Sequence, residues 1–281
     1  MSFYHNVFQK RTASIIKGFL PGLSYVENSS WVHRLHPLVK LVMLISFSLT
    51  VFAVPTCLGG LVLFGIMLVF YGLAGLGLAF FYRKLRFIMV FGLFIFIIQV
   101  LVVQEGRLLW QAGVGPLQLS IWSQGLFGGL NLALRFVNII GSSYLFVATT
   151  DPNRLTYSLM QAGLPYRLGF MLITALRFIP VFHYELEQVK NAQMAKGIEI
   201  EGLSPGQLVK AVKYLLVPLV ITALSKVDYL AISMESRGFG LYPRRSYLYV
   251  QSLSRGDKIA MGMIPLVFIL FNLTIASRFA W

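Results

Sequence analysis

The sequence predicts an all-α polytopic membrane protein: about five transmembrane helices, with a charged region of two or three long amphipathic helices beside them. Three observations carry this. Of 281 residues, 57% are hydrophobic and only 12% are charged, about half the charge of an ordinary soluble domain. Several apolar runs approach or exceed the roughly 20 residues that a helix needs to cross a bilayer. The charge is also unevenly placed: residues 148–258 hold 13 of the 24 Lys and Arg and 8 of the 10 Asp and Glu. The net charge of +14 follows from the retention of Lys and Arg on the cytoplasmic side of membrane proteins. Membrane lipid is therefore an expected partner, and nucleic acid is not.

The first apolar run is Leu38–Val54, stopped by Pro55, and the second is Cys57–Phe81, interrupted only by glycines. The sequence YRKLR then sets Arg83, Lys84 and Arg86 at one membrane face, and Phe87–Val103 forms the third run. Residues 104–124 mix Gly, Pro and two tryptophans and read as a loop with an interfacial segment. The fourth run, Gly125–Val147, contains Arg135, and the last is Ile259–Ala276. In the fourth run Gly125 and Gly129 have the spacing of a close helix–helix contact, though lipid-facing small residues fit the spacing equally.

The positive-inside bias puts residues 148–258 in the cytoplasm. Counting spans from there gives a cytoplasmic segment 1–37, four spans within 38–147, cytoplasmic helices over 148–258 and a fifth span within 259–281. The chain is thus expected in the cell (inner) membrane, with its N-terminus inside. The first thirty residues lack a long apolar core, so no cleavable signal peptide is expected. The single cysteine, Cys57, allows no internal disulfide.

In the charged region, Thr150 or Asp151 can cap a helix whose first turn holds Pro152, with Gly163 and Pro165 ending it. Two longer helices follow. Each begins apolar, over Gly169–Ile179 and Tyr214–Leu224, and ends polar. Each finishes on a small residue, a basic residue and a glycine: Ala195, Lys196, Gly197 in one, Ser236, Arg237, Gly238 in the other. Glycine suits the left-handed residue that follows a helix end. A cation there complements the negative end of the helix dipole, by about 0.3–1 kcal/mol. Taken singly, either ending is ordinary capping. Taken together, two slim helix ends bearing cations form a two-pronged plug for acidic surfaces, and a guanidinium in particular matches a carboxylate with paired donors.

At these residues the chain resembles the transmembrane coupling (T) component of energy-coupling factor transporters, a family of ABC importers. AQMAKG (192–197) and MESRGFG (234–240) are similar to the two Ala-Arg-Gly signatures of that family. RLHPLVKL (34–41), TTDPNRLTYSLMQAGLP (149–165), ALRFIP (175–180) and LLVPLVITALSKVDYLAISMESRG (215–238) are similar to further family segments in the same order. Lys196 stands where arginine is usual, Ser236 where alanine is usual, and His36 where aspartate is common. The resemblance implies that Lys196 and Arg237 insert into grooves on two cytoplasmic ATP-binding subunits. It also implies that the apolar faces of the long helices hold a separate substrate-binding membrane subunit, which takes up a vitamin or a transition-metal ion. The chain itself then binds no ATP and needs no cofactor.

Other chemistries have less support. No phosphate-cradling loop of the Gly-x-x-x-x-Gly-Lys-Ser/Thr type occurs. The acids form no Asp-x-x-Asp cluster for magnesium. His33 and His36 lack an evident third metal ligand, so no enzyme is expected. A secondary transporter keeps ionisable residues inside the membrane. Arg135 and Arg177 are the candidates for such intramembrane charge, and no acidic counterpart accompanies either; a structural role within the bundle or with the backbone is the other reading.

Overall fold

The structure, a computed structural model, describes residues 30–103, 105–114, 117–198, 205–242 and 253–279. The basic N-terminal segment read from the sequence, including Lys10, Arg11 and Lys17, lies outside these residues. The elements are α1 (Trp31–Arg34), α2 (Pro37–Ala53), α3 (Cys57–Leu73), α4 (Gly77–Val102), β1 (Leu108–Val114), β2 (Leu117–Trp122), α5 (Ser123–Thr149), α6 (Pro152–Gln161), α7 (Tyr166–Ala195), α8 (Pro205–Ser236) and α9 (Arg255–Phe279). The chain is a helical, multi-pass membrane protein, and it divides into two compact units at Leu159/Met160 and Val250/Gln251.

The larger unit is a bundle of α2, α3, α4, α5 and α9. Its centre is α3, where Leu63, Met67 and Tyr71 are sealed from the surface. They join Phe47 and Val51 of α2 and Leu145 and Ala148 of α5 in one core. The helix α9 packs on α2 through an edge-on pair, Phe47 and Phe268, with ring centroids 6.0 Å apart. Asn272 Nδ2 also donates to Thr50 Oγ1 at 3.2 Å. In lipid, helices gain nothing from exchanging one apolar neighbour for another, so close backbone approach decides their association. That is the role of Gly125 and Gly129. A Cβ on Gly125 would meet the Val103 carbonyl oxygen at 2.8 Å, and one on Gly129 would meet that of Phe96 at 3.2 Å. The two glycines face α4, and the lipid-facing alternative does not hold.

Polar side chains of the bundle close onto backbone carbonyls left open at helix ends. From α5, Asn131 donates to Pro55 O (2.6 Å), Arg135 to Phe52 O (3.2 Å) and Asn138 to Gly60 O (3.0 Å). These three residues share a face at helical spacing; Asn131 and Arg135 tie down the break between α2 and α3, and Asn138 adds a bond to a carbonyl inside the first turn of α3. Arg135 thus caps the C-terminal end of α2, with the Phe52 ring 5.7 Å away. At the other end, His36 Nδ1 accepts from Leu38 N–H at 3.3 Å. This is the capping service an aspartate performs, so the unusual histidine keeps the local function. Lys40 Nζ donates to Thr149 O, the last carbonyl of α5, at 2.7 Å.

Two elements differ from the sequence reading. The run read as Cys57–Phe81 breaks at Ala74-Gly75. Gly75 has φ +67°, and the bonds Gly75 N–H to Gly72 O and Leu76 N–H to Tyr71 O close a Schellman ending. Residues 77–102 then form one helix that takes in YRKLR. The stretch read as a loop over 104–124 contains an antiparallel hairpin, pairing Leu108 with Trp122 and Val114 with Leu117. Leu117, Leu119 and Ile121 alternate with Gln118 and Ser120, which is the period of a strand.

Among the described residues, three helices are long and apolar enough to cross a membrane: Ser123–Thr149, Val212–Ser236 and Arg255–Thr274. Three shorter apolar helices accompany them: Pro37–Ala53, Cys57–Leu73 and Arg86–Val102. Five of these six fall on the spans read from the sequence. The sixth, Val212–Ser236, lies in the charged region.

Candidate functional site

The smaller unit carries both basic endings, on an antiparallel pair of long helices. The pairing is read from three levels. At one end Gln193 Nε2 donates to Tyr214 O at 3.1 Å. In the middle Glu185 of α7 forms an ion pair with Lys226 of α8. At the far end Phe239, just past α8, packs on Phe170 and Tyr166, with ring centroids 4.7 and 5.5 Å away. Positions thus fall along α7 as they rise along α8.

The first level has a specific cause. Pro218 lies inside α8 and has no N–H, so the carbonyl four residues earlier, that of Tyr214, loses its helical partner. Gln193 supplies the missing donor. At the start of α7, Gly169 lets Met160 press against the helix: a Cβ there would collide with Met160 Sδ. The preceding helix begins as the sequence suggests. Asp151 Oδ1 accepts from Asn153 N–H at 2.9 Å, Pro152 is the first residue of α6, and Gly163 follows its end at φ +121°.

The two endings have one backbone geometry. After Ala195, Lys196 occupies the cap position and Gly197 turns left-handed at φ +79°. Gly197 N–H donates to Met194 O at 2.9 Å and Ile198 N–H to Gln193 O at 3.1 Å. After Ser236, Arg237 occupies the cap position and Gly238 turns at φ +68°. Gly238 N–H donates to Glu235 O and Phe239 N–H to Met234 O, both at 2.9 Å. Both are Schellman endings, in which the chain's own N–H groups satisfy carbonyls of the last turn. These side chains are therefore released from capping, and Lys196 and Arg237 are exposed. Ala74-Gly75 uses the same backbone device, with Ala74 fully buried. The exposed cation, and not the turn, distinguishes the two ends of α7 and α8.

The flanks of the pair are apolar and open. Met171 is 63% exposed and Ile221 59%. The stretches Gly169–Ile179 and Tyr214–Leu224, expected to lie against other helices or the membrane interface, present Leu172, Ile179, Val217 and Leu224 openly as well. Arg177 stands exposed among them. Among the described residues, no group of three or more His, Cys, Asp or Glu is placed to hold a metal ion.

Sequence spacing identified both endings. It missed Gln193, Glu185 and Lys226, which join α7 to α8 across 21 to 41 residues. The one available signal was Pro218 inside a long apolar helix, which announces a carbonyl in need of a donor.

Residues 28–248 match the family CbiQ, described as a cobalt transport protein. The energy-coupling factor transporter transmembrane protein EcfT of Bacillus subtilis is 30% identical over 89% of this chain and 96% of its own length. The proteins of the same name from Lacticaseibacillus paracasei and Listeria innocua are 32% and 33% identical, over 85% and 76% of this chain and 92% and 83% of their own lengths.

Proposed function

Since the chain belongs to the CbiQ/EcfT family of energy-coupling factor transporter transmembrane components, we propose that it transmits ATP-driven motion from two cytoplasmic ATP-binding subunits to a separate substrate-binding membrane subunit. The cargo class proposed with it is a vitamin or a transition-metal ion. The observation that carries this reading is the matched pair of helix endings. Lys196 and Arg237 are the two contact points, each framed by a small residue before it and a left-handed glycine after it: Ala195 and Gly197, Ser236 and Gly238. Each end enters a groove and meets a carboxylate there. Arg237 grips with two parallel donors, while Lys196 offers a point charge.

In this reading the open apolar flanks of α7 and α8 are the seat of the substrate-binding subunit. Exposed apolar surface of this kind marks contact with protein or membrane. The Lys and Arg distribution supports the cell membrane as the location, with the N-terminus and residues 148–258 on the cytoplasmic side. The chain performs no catalysis of its own; hydrolysis belongs to the partner subunits.

The test is affinity purification of the complex with Arg237→Ala. Losing one member of a buried charge pair costs about 2–5 kcal/mol, because the other charge is left unpaired. The expected result is loss of the ATP-binding subunits and of uptake. Normal retention with normal uptake would mean that Arg237 merely finishes a helix.

A further inference from the structure

We propose that the Glu185–Lys226 ion pair is the pivot about which the two helix ends move, making both residues positioning residues for coupling; this rests on the function proposed above. Glu185 is nearly enclosed, its side chain 13% exposed, and Lys226 reaches it from α8. The Thr222 hydroxyl, one turn before Lys226, lies 3.5 Å from Glu185 Oε2. A carboxylate held in this way by the facing helix marks a fixed point on both.

The pivot sits the same distance from each end. Glu185 stands 11 residues before Lys196, and Lys226 stands 11 residues before Arg237. At 1.5 Å per residue each arm is about 16 Å long. Residues 186–195 and 227–236 contain neither proline nor glycine, so each arm is unbroken helix and transmits force stiffly. The prolines that weaken these helices, Pro180 and Pro218, both lie before the pivot, outside the arms. Because the helices are antiparallel, the arms point opposite ways from the ion pair, and each tip is also tied to the facing helix, by Gln193 with Tyr214 and by Phe239 with Phe170. A tilt of one helix about the ion pair is passed to the other through these ties, with equal reach at each tip.

The experiment is a distance measurement between spin labels on Ala192 and Ser233, both exposed and each four residues before its tip cation. The single cysteine is first removed as Cys57→Ser; its Sγ donates to Phe127 O at 3.1 Å, and a serine hydroxyl keeps that donor. Distances are read by pulsed electron paramagnetic resonance in the purified complex, with and without Mg-ATP. The unaltered pair should give a narrow distribution that shifts with ATP. Glu185→Gln keeps the shape and removes the charge; it should broaden the distribution and at least halve the shift. The exchanged pair Glu185→Lys with Lys226→Glu should restore both. An unchanged distribution and shift in Glu185→Gln, or an exchanged pair that restores neither, overturns the pivot. Failure of the proposed function reads differently, as absence of ATP-binding subunits from the unaltered complex. In that event the width of the distribution in the chain alone still decides: no broadening in Glu185→Gln overturns the pivot there too.

Discussion

The bundle and the α7–α8 pair use the same kinds of residue in opposite ways. In the bundle, polar groups turn inward onto open carbonyls: Asn131 and Arg135 on the α2–α3 break, and Lys40 on the end of α5. In the helix pair the carbonyls of both last turns are bonded by the chain's own N–H groups, and the cations point away. Apolar side chains lie open on both, as Leu49 and Phe87 of the bundle and Leu224 and Ile232 of α8 do, but the bundle also has a sealed core around Leu63 and Met67. A bundle whose Lys40 and Arg135 bond its own carbonyls offers those cations to no partner. A helix pair that ends in two exposed cations leaves them for a partner, as the proposed function requires. Substitutions in the two regions should therefore be read by different instruments, one by unfolding and the other by assembly.

The largest effect is expected where assembly is lost. Changing Lys196 and Arg237 together to alanine should abolish retention of the ATP-binding subunits, while Lys196→Ala alone should weaken it less than Arg237→Ala. Lys196→Arg should retain them at least as well as lysine does, since it restores paired donors. Quantified pull-downs at low and high salt order the four variants. A stronger effect of Lys196→Ala than of Arg237→Ala would reverse the asymmetry proposed for the two ends.

Next comes the bundle. Gly125→Leu forces a side chain against the Val103 carbonyl, and overpacking of this sort costs about 1–3 kcal/mol. Thermal unfolding in detergent should show it, and Gly128→Leu supplies the contrast, since nothing lies within 4 Å of a Cβ at Gly128. Equal losses at the two glycines would mean that close approach to α4 does not hold the bundle together.

A smaller effect separates the two endings themselves. Alanine in place of either left-handed glycine costs about 1–2 kcal/mol. At Gly197 a Cβ meets nothing, whereas at Gly238 it meets Leu241 Cδ1 at 2.9 Å. Gly238→Ala should therefore destabilise more than Gly197→Ala. Hydrogen exchange at the last turns of α7 and α8 measures both, and indistinguishable protection losses would contradict the difference in surroundings.

The smallest is Gln193→Leu, which strands the Tyr214 carbonyl beside Pro218. Losing one ordinary hydrogen bond costs about 0.5–1.5 kcal/mol. Adding Pro218→Ala returns an N–H to that carbonyl and should recover most of the loss in the same exchange measurement; no recovery would show that Gln193 serves something else.

Helix endings were the most readable part of this chain, because glycine, proline and Asp151 act on their own neighbours. The bounds of α6, α7 and α8 follow from them directly. The break at Ala74-Gly75 was hidden because apolar residues continue on both sides, leaving only one glycine among several to mark it. The hairpin was obscured by Gly115-Pro116 and the tryptophans, although Leu117, Leu119 and Ile121 carry a strand period. Arg135 was visible as a charge inside a span, but its partners Phe52 and Val54 are backbone carbonyls, which have no letter in a sequence. The same holds for Tyr214. Contacts between distant side chains, such as Glu185 with Lys226, leave no trace in spacing at all.

The absent N–H of Pro218 also governs what kind of motion the helix pair permits. The outer wall of an intact helix presents carbonyls already engaged along its length, so a neighbouring side chain finds no preferred level. One freed carbonyl turns that smooth wall into a shaft with a single keyway, and Gln193 is its key. Sliding α7 past α8 by one turn, about 5.4 Å, would carry the key out of the slot and leave both groups unpaired. A turn of a few degrees about the Glu185–Lys226 pair, eight residues or about 12 Å away, shifts it by only about 1 Å. The bond therefore holds the two helices in register against sliding.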